Sequence, residues 1–166
     1  MAASTILRLA ASLTAVLLLA GCARTEQRPG AADDDAAVRQ RLVDWYAVWS
    51  GGDEADYRTF VTDDYVLLEN GELMDVEDDL KMMRSRPSGY ARKDAFDFQS
   101  VRVHGDVAYA TYFLESEIAD DTRIQQRRWL ESAVLRRLDG RWRVALLHST
   151  RISGTDTPRS EASSHP

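Results

Sequence analysis

A chain of 166 residues with 44% hydrophobic residues and four Trp has the length for one domain and the apolar mass for a real core. A formal charge of −6, with no basic stripe, argues against nucleic acid as a partner. The single Cys cannot form an internal disulfide, so the fold does not depend on one in any compartment.

Residues 1–21 stand apart from the rest. Arg8 precedes an apolar run from Leu9 to Ala20 that is too short to span a bilayer comfortably and reads as a signal-peptide core. The run ends in Leu19-Ala20-Gly21-Cys22, which resembles a bacterial lipobox. That resemblance implies cleavage before Cys22, lipid on its thiol, and attachment to the cell envelope. With Ala23 next, the resemblance favours the outer membrane, facing the periplasm, in a two-membrane bacterium. Removing 1–21 takes away one of the 21 basic residues and none of the 27 acidic ones, so the remainder is more acidic than the whole. Residues 22–35 are polar, contain Pro29-Gly30 and read as a flexible tether.

The first predicted helix covers about Asp35 to Ser50, with Asp33 to Asp35 as capping candidates. Val38, Leu42, Trp45 and Trp49 make its apolar stripe, and Gly51-Gly52 ends it. A short helix over Asp53–Phe60 follows, then a strand at Tyr65–Leu68 and a tight turn at Asn70-Gly71. Asp75 to Arg86 reads as a third helix with Val76, Leu80 and Met83 inward, stopped before Pro87. From Ala95 the apolar period falls to two, with a phase change near Gln99-Ser100. A turn at His104-Gly105-Asp106 leads to a long strand from Val107 to Ile118, and Asp120-Asp121 turns into the next. The closing hairpin, Trp129 to Arg151, folds at Asp139-Gly140. Residues 153–166 form a polar tail, expected to be disordered. The pattern is α+β: three helices ahead of four long antiparallel strands, covering one face of a curved sheet.

The Trp-rich first helix ending in Gly-Gly-Asp, the Asp64-Tyr65-Val66 strand start, Asn70-Gly71, Gly105-Asp106-Val107-Ala108 and Asp139-Gly140-Arg141-Trp142-Arg143-Val144 through His148-Ser149 carry a family resemblance. In this order they resemble the SnoaL-like and ketosteroid-isomerase-like domains of the nuclear transport factor 2-like superfamily. The resemblance implies a cone-shaped fold over 36–152, a pocket open at one end, and homodimers formed through the convex face. It does not select a function, because this fold serves isomerases, dehydratases, adaptors and assembly domains.

Chemistry is sought in the pocket. A two-residue turn at Asp139-Gly140 places Glu131 opposite His148, with Cβ atoms about 4.5–5.5 Å apart. The same register sets Ser132 against Leu147 and Arg128 against Arg151. A buried Glu–His pair can orient a proton-transfer base, or it can satisfy two polar groups structurally. Trp45, Trp49, Tyr65, Tyr112, Trp129 and Trp142 are expected to line an apolar pocket, to pack the core, or to do both. No His or Cys spacing suits a metal and no glycine-rich nucleotide motif is present, so no metal and no cofactor is expected. The expectation is a membrane-anchored extracytoplasmic domain that binds a small, partly apolar molecule. One alternative is a cofactor-independent isomerase or lyase using His148 and Glu131. Another is a dimeric structural module.

Overall fold

The computed structural model describes residues 31–154. Cys22, the signal segment, most of the tether and nearly all of the tail lie outside them. The order is α1 (Ala31–Gly51), α2 (Glu54–Arg58), β1 (Val61–Glu69), β2 (Glu72–Met74), α3 (Val76–Arg84), β3 (Ala91–His104), β4 (Val107–Ala119), β5 (Ile124–Leu138) and β6 (Arg141–Arg151).

Helix α1 starts four residues before the expected Asp35. Asp33 and Asp34 sit inside its first turn, where they oppose the positive end of the helix dipole. Asp34 also pairs with Arg137 of β5 at 2.6 Å. Helix α2 is a single turn capped by Asp53, whose carboxylate accepts from the Asp56 amide. Helix α3 has a capping box between Asp75 and Asp78. It follows the β1–β2 hairpin, so the three helices are not one N-terminal block.

The sheet order is β2-β1-β6-β5-β4-β3. All neighbours are antiparallel except β1 and β6, which run parallel. Both sequence-marked turns hold left-handed pairs, Asn70-Gly71 and Asp139-Gly140, which suit the twist of a tight hairpin. Helix α1 lies across the inner face, chiefly on β3 and β6. Its Val38, Leu42 and Trp45 share one buried core with Ala108, Ala110, Tyr112 and Leu114 of β4 and Ala133 and Leu135 of β5. The small alanines leave room for the helix.

Besides a register shift between Val61 and Val66 of β1, two bulges fall in the long strands. One falls between Phe98 and Ser100 in β3, where the sequence showed its phase change. The other falls in β6, where Val134 pairs with Leu146 but Leu135 pairs with Val144, leaving Ala145 unopposed. This second bulge shifts the hairpin register by one. Glu131 pairs with Ser149, and His148 pairs with Ser132. The expected Glu131–His148 pair is therefore not formed, because a one-residue slip turns every later side chain to the opposite face. Trp129, rather than Arg128, opposes Arg151, and Arg128 lies opposite Glu115.

Candidate functional site

The inner face and the helices enclose a cavity of about 320 Å³, open to solvent beside the C-terminal end of α1. Of the residues expected to line a pocket, Trp45, Trp49, Tyr65 and Trp129 do so. Tyr112 is fully buried beneath the floor. Trp142 is buried away from the cavity, with the Arg137 guanidinium 4.4 Å from its ring. His148 is exposed on the outer face, so it cannot act in this cavity.

Glu131 is a buried carboxyl on the cavity wall, 3% exposed. Its Oε2 accepts from the Tyr46 hydroxyl at 2.7 Å, and its Oε1 accepts from the Ser149 hydroxyl at 2.9 Å. Burial pushes its pKa up to about 7, while the hydrogen bonds of Tyr46 and Ser149, the nearby Tyr112 hydroxyl and the Arg92 charge all pull it down. Burial also holds the Tyr46 and Tyr112 hydroxyls well above the usual phenol range, a direction the neighbouring Glu131 charge reinforces.

A second carboxyl reaches the same cavity from α3. Asp79 is 2% exposed and accepts from the Tyr57 hydroxyl at 2.5 Å through Oδ2. Its Oδ1 makes no hydrogen bond. Burial raises its pKa to about 6, against the pull of the Tyr57 and Tyr65 hydroxyls. Burial thus lifts both carboxyls toward neutrality, where each can hold or release a proton. One cavity holds a carboxyl with an unpartnered oxygen and a carboxyl braced by a phenol. Glu69 also lines the cavity, and burial raises its pKa as well.

Cations gather at the opening. Arg92 is inward-facing on β3 and pairs with Asp94 at 2.8 Å, and Ser116 donates to that carboxylate. Its guanidinium lies 5.0 Å from the Trp49 ring and 5.2 Å from the Trp129 ring. Arg86 also lies over Trp49, 4.8 Å from its ring. Among the described residues, no group of three or more His, Cys, Asp or Glu is arranged to hold a metal.

The sequence reading passed over Asp79, Arg86 and Arg92. Asp79 did leave a signal: it lies on the apolar stripe of α3, three residues after Val76 and four before Met83. Arg92 and Asp94 share the alternation of Phe96 and Phe98, which places a charged pair on the inward face of β3.

A helix laid over a bulged sheet, with an acid-lined cavity between them, defines a nuclear transport factor 2-like pocket domain. Residues 38–151 match the model of the SnoaL-like domain family, and the chain belongs to that family. No curated protein matches it closely enough to count. Solved structures share the fold at low identity. A conserved protein from Planctomyces limnophilus is 17% identical, with a TM-score of 0.66 over 73% of this chain and 98% of its own. A ketosteroid isomerase-like protein from Erwinia carotovora atroseptica is also 17% identical, with a TM-score of 0.60 over 73% and 98%. A calcium/calmodulin-dependent kinase II hub homology domain from Chlamydomonas reinhardtii is 18% identical, with a TM-score of 0.63 over 72% and 98%.

Proposed function

We propose that the cavity binds a small, partly apolar carbonyl compound and moves a proton on it without a cofactor. The observation that carries this is the placement of two buried carboxyls, Asp79 and Glu131, in one solvent-connected cavity. Asp79 Oδ1 takes a proton from the carbon beside the carbonyl. The electron pair moves onto the carbonyl oxygen, which receives a proton or a hydrogen bond from Glu131 with Tyr46 behind it. Return of the proton from Asp79 to another carbon gives an isomerase. Loss of a leaving group instead gives a lyase. Fold relatives named as a dehydratase and a dehydrochlorinase are in keeping with such chemistry.

The test is hydrogen–deuterium exchange, read by NMR, on a panel of small aromatic and alicyclic ketones in heavy water. Exchange that the protein accelerates and Asp79→Asn abolishes supports proton transfer. Ketone binding without exchange reduces the site to a binding pocket.

Two further readings belong to the same proposal. The domain is attached to a bacterial envelope through lipid on Cys22, as the lipobox-like run suggests. It also pairs with a second copy through its outer sheet face, where Leu130 and Tyr109 are 46% and 44% exposed.

A further inference from the structure

Arg86 follows α3 and lines the opening of the cavity. Its guanidinium is clasped between two rings, 4.8 Å from Trp49 and 4.9 Å from Tyr90. Nη1 donates to the Ser50 carbonyl at 3.2 Å. Nε and Nη2 have no acceptor and no contact with solvent. These two atoms form one edge of the planar fork, the edge that meets a carboxylate with two parallel hydrogen bonds. Among the described residues Arg86 has no ion-pair partner, whereas neighbouring Arg92 is matched by Asp94. An arginine does not escape this state by losing its proton, and buried donors left unpaired cost free energy. The cation is held in place by aromatic faces and a carbonyl, with its anion-binding edge unused.

We propose that Arg86 is the anchor for a carboxylate on the ligand, so that the cavity takes an amphipathic organic acid. The apolar body of the acid lies against Trp45, Trp49 and Trp129, and its far end reaches Asp79 and Glu131. The acceptor-free edge is closed to solvent in this structure, so the carboxylate reaches it as the side chains around the clasp move aside. The inference rests on the reading of the cavity as a site for a small, partly apolar molecule, and it adds the charge that such a molecule carries.

The test compares 2-naphthoate with 2-naphthamide, matched in shape and differing in charge, by titration calorimetry. The wild-type protein is expected to bind the acid at least tenfold more tightly than the amide. Arg86→Gln is expected to remove that preference, bringing the affinities for acid and amide together. Arg86→Lys keeps the charge but lacks the fork, so it should retain only part of the preference. Equal binding of both probes by the wild type, or a preference that survives in Arg86→Gln, overturns the anchor and leaves the cavity reading intact. If neither probe binds, the cavity reading falls and the inference falls with it.

Discussion

Ser149, the residue after His148, is the one that meets Glu131: its hydroxyl donates to Glu131 Oε1 at 2.9 Å from the adjacent strand. Ala145 decides this. It bulges out of β6 and turns everything after it by one face. Deleting Ala145 takes out the unopposed residue and leaves every later pair, Glu131 with Ser149 included, in place. The variant is expected to keep the Glu131–Ser149 contact and to lose only the local bend, at a cost of about 1 kcal/mol in urea unfolding. A loss of about 3 kcal/mol or more would show that the bend itself holds the inner face together.

His148 itself stands on the exposed outer face. His148→Ala should change stability by no more than about 0.5 kcal/mol. Ligand binding and ketone exchange should match wild type, measured side by side.

Glu131 is buried with its pKa raised to about 7 from an ordinary 4.5. Between those two values the folded state holds a proton that the unfolded state has lost. The stability that Glu131 contributes is therefore fullest below about pH 4.5 and is lost as pH rises through 7. Glu131→Gln keeps the shape and removes the cost of burying charge. It should be more stable than wild type by on the order of 2 kcal/mol above pH 7 and should flatten this part of the pH profile. Thermal melts from pH 5 to 8 measure both effects, and loss of exchange activity is the expected accompaniment.

Tyr46 lowers the pKa of Glu131 through its hydrogen bond. In Tyr46→Phe the carboxyl should titrate at a higher pH than in wild type. Carbon-13 NMR of labelled glutamate follows it directly. An unchanged midpoint would remove Tyr46 from the site.

Gly89 lies in the loop that carries Arg86 and Tyr90, with φ +69°, and a Cβ there would strike the Asp121 side chain. Gly89→Ala should cost about 1–2 kcal/mol. It should also disturb binding more than exchange chemistry, seen as a rise in KM with little change in kcat.

The turns, the helices and one bulge could be read in the sequence because each has a local signature. Asn70-Gly71 and Asp139-Gly140 force left-handed backbone, and polar Gln99-Ser100 interrupts the alternation around the β3 bulge. The β6 bulge left no such mark. Val144-Ala145-Leu146-Leu147 is apolar in either phase, so a slip costs the pattern nothing. Glu131 stood out as a carboxylate on an inward stripe of β5. Its partner Tyr46 comes from α1, 85 residues away, and only tertiary packing brings the two together. Asp79 was hidden in an acidic first turn, where helix capping accounts for carboxylates equally well.

Helix α1 has its first turn pinned to Arg137 at the end of β5, while its last turn carries Trp49 and Ser50 at the opening. Its 21 residues run roughly 30 Å between these points. The chain therefore has two poles, one where the domain begins and one where solutes enter. If the lipid anchor proposed above holds the amino end, the entrance is displayed on the side turned away from the attachment, and ligands would reach it from the aqueous compartment rather than by lateral transfer out of a lipid layer.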